Sequence, residues 1–421
     1  LLNWAGNVRF GAAGSVTVPT VADLQHRIAT RTQGVRPIGT AHSFSTVADG
    51  PPTSTFLRLL SSAENELRVA TDRRSVRIPA ARTYGEIAPL LEAEGLALAN
   101  LASLPHISVG GSVSTGSHGS GASLGSLATA VRAIELVNGR GELVTLRRGD
   151  PDFAGAVVSL GALGVFTHLE LDVEPTFDIA QRVYLSLPLD GVLENFTEVT
   201  SLGYSVSLFT TWSDADIVDQ LWLKRRVDRD PEPPADVLGA LPARVPMHPI
   251  GEGDTAACTP QLDEPGPWHT RLPHFRLEHT PSLGVEIQSE YLVPLAQAEE
   301  ALREVRSLAH VIAPHLLVCE IRRIAPDDLW LSGAYGTDAV GIHFTWRRRP
   351  AQLAKLLPML EERLLPRGAR PHWGKQFVAD RAQLAALYPR FDDFRALAER
   401  FDPYRLFRND FLAEKVGLPG R

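Results

Sequence analysis

Cysteine is nearly absent: Cys258 and Cys319, far apart, are the two in 421 residues. That excludes a disulfide framework and a cysteine-based metal centre, and it fits a reducing compartment. Lysine is almost as scarce. Of 42 basic residues only Lys224, Lys355, Lys375 and Lys415 are lysine, so each raises the question of why arginine would not serve. No apolar run reaches the length of a membrane span; the longest weakly polar stretch, 154–165, is broken by Ser and Gly. No basic block offsets the net charge of −7, which argues against nucleic acid as a partner. Nor does the opening Leu-Leu-Asn-Trp carry a signal-peptide pattern, so a cytoplasmic protein is expected.

What remains is ordinary globular composition, 44% apolar and 22% charged, in a chain too long for one core. Two domains are expected. Up to residue 175, short strands alternate with helices across glycine turns. Thr20 and Asp23 open a helix closed by Gly34, and 35–38 reads as a strand. Segments 67–70 and 75–79 read as a hairpin, and Thr83 with Glu86 has capping-box spacing for a helix ending at Gly95. Asn138-Gly139 joins strands 131–137 and 142–146, and 165–173 is a strand closing at Pro175. Beyond 176 the strands lengthen: 183–187, 204–211, 217–226, 285–293, 316–324 and 340–346. Helices are expected at 295–312 and 351–365, and a Pro/Gly/Asp-rich loop at 229–266 should pack on the surface. The fold class is α+β, with residues 1–175, 176–369 and 370–421 as the first domain, the second domain and a C-terminal segment.

Three places could carry chemistry. The stretch 101–121 is almost all Gly, Ser and Thr after Val109, a composition that suits either a linker or a backbone cradle for phosphates. Interleaved Leu104, Ile107, Val109 and Val113, with His106 and His118, favour the cradle. Strand alternation puts Glu320 and Arg322 on one face, and His343 with Thr345 on another. Should these strands be neighbours, the four form one polar wall, by default a solvated sheet face, although its mix of acid, base, imidazole and hydroxyl suits a polyhydroxylated ligand better. Lys375 and His42 are the sharpest single residues. A P-loop fails at Ala369 and Gln376, no Rossmann fingerprint occurs, and His269, His274 and His279 have no metal-ligand spacing.

Gly39-Thr-Ala-His-Ser-Phe44, 102–108, 111–119, Cys319-Glu-Ile-Arg322 and Pro371-His-Trp-Gly-Lys375 together resemble the vanillyl-alcohol-oxidase superfamily. Within it the chain is most similar to the alditol oxidases, with sugar-lactone oxidases further off. The resemblance implies a PCMH-type FAD-binding fold in the first domain, completed by the returning C-terminal segment. The second domain would hold the substrate on an antiparallel sheet flanked by helices. It implies FAD linked through His42 and cradled by Pro37, Ile38, Gly39, Thr40, Ala41 and Ser43. Ser103, Ser108, Gly111, Ser112, Val113, Ser114, His118, Val165 and His372 would also contact the cofactor. Ala41 stands where the family commonly has glycine, and Pro79-Ala-Ala81 where it often has three glycines. Ser103, Glu320, Arg322, His343, Thr345 and Lys375 would line the substrate pocket. Lys375 or His343 would take the hydroxyl proton or stabilise charge, and Arg322 would offset charge on the reduced cofactor. No metal is implied. The implied reaction is oxidation of an alditol such as xylitol or sorbitol by O2, with hydrogen peroxide formed and no membrane, nucleic acid or second subunit required. Two alternatives remain, a sugar-lactone oxidase or dehydrogenase and a non-enzymatic sugar-binding protein.

Overall fold

Thr20 caps helix Val21–Ala29 by accepting from the Asp23 amide, which turns Leu24 and Ile28 inward. Thr83 and Glu86 make both bonds of the capping box on helix Tyr84–Ala93, and Pro89 is accommodated inside it. The computed structural model describes residues 1–59, 67–251, 253–279 and 286–420.

In the first half, strands Gly14–Val18, Thr55–Leu59 and Val35–Pro37 form a parallel sheet with Thr55–Leu59 central. Beside it an antiparallel sheet runs in the order Arg68–Val69, Ser75–Pro79, Val165–Asp172, Val131–Val137, Leu143–Arg147. The last hairpin turns through Asn138–Gly141, with the Gly141 amide donating to the Asn138 carbonyl at 3.0 Å. Gly141 takes the positive φ of 79°, and the Asn138 side-chain oxygen accepts from the amides of Arg140 and Glu142. Gly139 is small for another reason: a Cβ there would stand 2.6 Å from an Asp402 oxygen.

The glycine-rich stretch contains a helix, Val109–Thr115, that its composition conceals. Val109 and Val113 drive it into the core. Gly110 lets it approach Ala80 so closely that a Cβ would lie 2.9 Å from the Ala80 carbonyl oxygen. Tertiary packing outweighs glycine's poor helix propensity here.

The second half is built on eight antiparallel strands, in the order Gly266–Pro267, Asp178–Pro188, Ile217–Arg226, Ser205–Thr210, Leu316–Ile324, Ala339–Arg347, Glu286–Pro294, Arg370–Pro371. The strand expected at 285–293 is Glu286–Pro294, Val285 lying outside the described residues. The single helix expected at 295–312 is three pieces: a 3-10 turn Leu295–Gln297, helix Ala298–Ser307 and a short turn Ala309–Ile312. Ser307 donates its hydroxyl to the Glu304 carbonyl, a bond that competes with helix continuation. Helix Pro350–Leu364 leads to Arg367, which meets Glu304 of helix Ala298–Ser307 at 2.6 Å.

The C-terminal segment serves both halves. Arg370–Pro371 extends the large sheet, while Leu406 and Phe407 pack with Val18, Leu24, Val35 and Val165 in the first half. Arg36 ties this together. Its buried guanidinium donates to the carbonyls of Phe407 (2.5 Å), Val47 (2.6 Å), Leu160 and Gly161 (both 3.1 Å). Among the described residues no helix is long and apolar enough to cross a membrane.

Candidate functional site

A cavity of about 1110 Å³ is walled by residues from both halves. Its two sides differ in chemistry.

The first side is backbone, small hydroxyls and glycine. Residues 37–44 after the parallel strand face the glycine-rich stretch, and Ser108 N–H donates to Thr40 Oγ1 at 3.2 Å. A Cβ at Gly39 would sit 2.1 Å from Ser108 Oγ, so any larger residue there would displace the Ser108 hydroxyl. Ala41 has φ of 58°, the left-handed conformation that a glycine would favour. The methyl therefore leaves the turn intact at a cost of about 1–2 kcal/mol. Trp4 N–H anchors that turn on the Ala41 carbonyl at 2.8 Å. The Trp4 ring stacks on His42 at 5.0 Å.

Neither ring nitrogen of His42 has a hydrogen-bond partner of ordinary geometry. Burial, with His106 and Lys375 nearby, pulls the imidazole down to about 4, so it is neutral at pH 7. Ser112 is bonded to Tyr84 at 3.0 Å, and Val165, Gly161 and Leu160 close the far end beside Arg36. The sequence-predicted Pro37, Ile38, Ser43, Gly111, Ser114, His118 and His372 all border the cavity. Val113 does not. Its side chain is fully buried on the core face of its helix, because the 3.6-residue period that exposes Gly111 and Ser114 turns Val113 inward. A backbone cradle shaped by glycines and small hydroxyls, with a neutral imidazole inside it and the Arg36 guanidinium at its far end, fits FAD.

The second side is a wall of charge. Leu316–Ile324 and Ala339–Arg347 are neighbours, with Glu320 opposite His343. One lateral row across four strands reads Phe209, Glu320, His343, Glu290. The face is not solvated: Glu290, Glu320 and Arg322 are each at most 5% exposed. Arg322 donates to Glu290 at 2.7 Å, lies 3.6 Å from Glu320, and reaches Ser103 Oγ at 3.4 Å. Burial alone would raise both acids. Arg322 with His274 at Glu320, and His118 with Arg322 at Glu290, outweigh it and hold both well below the usual range. His118 Nε2 is 3.1 Å from Glu290, and Gly341 makes room, since a Cβ there would come 3.2 Å from both groups.

His343 and Lys375 complete the wall. His343 Nδ1 lies 3.7 Å from Glu320 Oε2, while its buried Nε2 has no partner and the ring borders the cavity. Burial lowers its pKa, so the ring is a free base near neutrality. Lys375 is hydrogen-bonded to Gln288 Oε1 and sits 5.0 Å above the Phe44 ring. Desolvation brings its ammonium down to about 8. Thr345 faces Gln288 across the neighbouring strand.

Four residues escaped sequence reasoning. Gln288 and Glu290 lie on a third strand whose Glu286, Gln288, Glu290 alternation was a readable signal. His274, bonded to Glu320 at 2.8 Å, and the buried Lys224 behind it left no local signature. The loop 229–266 is also more than surface. His248, Pro249, Ile250 and Asp254 border the cavity, because apolar Cys258 and Trp268 anchor the segment in the interior.

Comparison with known proteins agrees with this geometry. Residues 13–147 match the family model for an FAD binding domain, and 284–415 that for D-arabinono-1,4-lactone oxidase. The chain is 46% identical to an alditol oxidase from a Streptomyces species, across 98% of both chains. It is 28% identical to L-gulono-1,4-lactone dehydrogenase from Mycobacterium tuberculosis, across 99% of this chain and 98% of that one. Cholesterol oxidase from B. sterolicum superposes with a TM-score of 0.80 at 16% identity, over 99% of this chain and 96% of its own, a likeness of fold.

Fold, cradle and family models thus define an FAD-binding oxidoreductase. Within the vanillyl-alcohol-oxidase superfamily the chain belongs to the alditol oxidases.

Proposed function

We propose that the protein oxidises the terminal primary alcohol of alditols such as xylitol and sorbitol to the aldose, with O2 as acceptor. His343 carries this reading: a neutral imidazole on the cavity wall, its Nε2 unpartnered, beside an ionised carboxylate. Bound FAD would supply two-electron redox chemistry, by which the hydride of the carbinol carbon would be accepted and the electron pair handed to O2 as hydrogen peroxide. Residues 37–43, Ser103, Ser108, Gly111, Ser112, Ser114, His118, Val165 and His372 would hold the cofactor. His42, neutral and stacked on Trp4, would join it covalently.

The alcohol is a weak acid, so its proton must leave as the hydride does. His343 Nε2 is the acceptor, and Glu320 stabilises the imidazolium that forms. The 3.7 Å separation from Nδ1 is one that catalytic contacts commonly shorten once substrate is bound. Lys375, still largely protonated near neutral pH, stabilises developing alkoxide. The remaining hydroxyls would meet Ser103, Thr345, Glu320 and Arg322, which fix the end of the chain presented. Arg322 also offsets negative charge gained by the reduced cofactor.

The test is a visible spectrum followed by xylitol under anaerobic conditions, then O2. Flavin bands that bleach and return with stoichiometric peroxide support the reading. A colourless protein, or one bleached by sugar lactones and not by xylitol, overturns it.

A further inference from the structure

Lys224 lies on strand Ile217–Arg226 with none of its surface exposed. A buried ammonium needs an acceptor for each of its three hydrogens. Lys224 has three: the carbonyls of Leu272 at 2.5 Å and Pro273 at 3.1 Å, and His274 Nδ1 at 3.1 Å. Burial lowers the Lys224 pKa to about 7, and the ionised Glu320 can only accept, so the ring hydrogen resides on Nε2 and Nδ1 accepts from the Lys224 amine, which keeps N–H donors in either form. That Nε2 points at Glu320 Oε1 across 2.8 Å. The ring plane is fixed by edge contacts to Phe209 at 5.5 Å and Trp222 at 5.3 Å. Burial and the Lys224 charge pull His274 down to about 4, in keeping with a neutral ring.

We infer that Lys224 and His274 are positioning residues: they fix Glu320 so that its second oxygen selects the Nδ1–H tautomer of His343, leaving Nε2 open to the substrate. The inference rests on the reading of His343 as proton acceptor. The four groups form one line, Lys224, His274, Glu320, His343, and Arg322 flanks Glu320 at 3.6 Å. Arginine at 224 would not do this. Its planar fork cannot direct three divergent bonds from one atom in a closed pocket. Two of the four lysines, Lys224 and Lys375, therefore serve the same wall from opposite sides.

Imidazole 15N shifts of the histidine-labelled holoenzyme, without substrate, read the tautomers directly; difference spectra of His274→Phe and His343→Gln assign them. The expected result is Nε2–H at His274 and Nδ1–H at His343. In Lys224→Met the His343 signal becomes a mixture, and kcat for xylitol falls on the order of 10–100-fold with KM little changed. His274→Gln, whose amide accepts from Lys224 and donates to Glu320, keeps kcat within about threefold of the parent, whereas His274→Phe loses as much as Lys224→Met. Equal kcat in the Gln and Phe variants overturns the inference even if Lys224→Met fails to fold. So does an unchanged His343 tautomer in folded Lys224→Met. An enzyme inert toward xylitol refutes the alditol reading alone, because the tautomer measurement uses no substrate.

Discussion

The two sides of the cavity solve different binding problems. On the cofactor side, Gly39, Gly110 and Gly111 bring backbone close, Ser and Thr hydroxyls supply the polar atoms, and His42 has no hydrogen-bond partner of ordinary geometry. On the substrate side, Glu290, Glu320 and Arg322 are buried yet bonded to one another or to histidines. A large flat cofactor is recognised by shape, which a backbone cradle provides. A small flexible polyol offers only hydroxyls, so recognition requires donors and acceptors converging from several strands. Burying those charges is costly unless each is paired, which explains the density of ion pairs.

The comparison is tested most severely at His343. Replacement by alanine should lower kcat/KM by about 10²–10⁴-fold in stopped-flow reduction, with flavin content unchanged. Loss of flavin instead would erase the distinction between the two sides. Lys375→Arg should cost about 10²-fold in kcat, because the ammonium is a tunable point charge. Lys355→Arg, on helix Pro350–Leu364, should cost nothing measurable. Equal effects would remove Lys375 from the chemistry. On the cofactor side, His42→Ala should release free flavin on acid precipitation where the parent protein keeps its colour in the pellet. Release from the parent protein would break the covalent assignment.

Two smaller effects sharpen the contrast. His274 and His372 are held near about 4 and about 3, against 6.5 when exposed, chiefly by burial. The unfolded chain binds more protons than the folded one below pH 6.5, so stability is retained above that value and lost as pH falls toward 4. Thermal melts across pH 7 to 4 should show a falling Tm, steeper than in His274→Gln. A flat profile would mean these rings are not desolvated. Smallest is Ala41→Gly, which relieves a left-handed alanine and should stabilise the protein by about 1 kcal/mol. Denaturant unfolding decides it, and a loss of stability would show that the methyl's packing beside Val8 and Phe10 matters more.

The cofactor side was legible because its signal is local. A run such as Gly111-Ser-Val-Ser-Thr-Gly-Ser-His118 lies in one stretch of chain, although the helix inside it was hidden by glycine content and emerges only through packing on Ala80. The substrate side was legible in pairs. Alternation gave Glu320 with Arg322 and His343 with Thr345, and strand pairing then brought in Glu290 and Gln288. His274 and Lys224 were beyond reach: one comes from a loop with no periodicity, the other from an interior strand, and only the fold joins them. Val113, whose side chain turns into the core, shows that a motif also includes residues whose side chains pack and do not border the cavity.

Arg36 has a consequence for biosynthesis. Its guanidinium collects carbonyls from residues 47, 160, 161 and 407, and the last lies 371 positions away in sequence. Until residue 407 has emerged from the ribosome, a buried cation at the edge of the cavity lacks one of its acceptors and the cradle wall is unfinished. This corner of the first half is therefore completed by a contact that spans 371 positions of the chain.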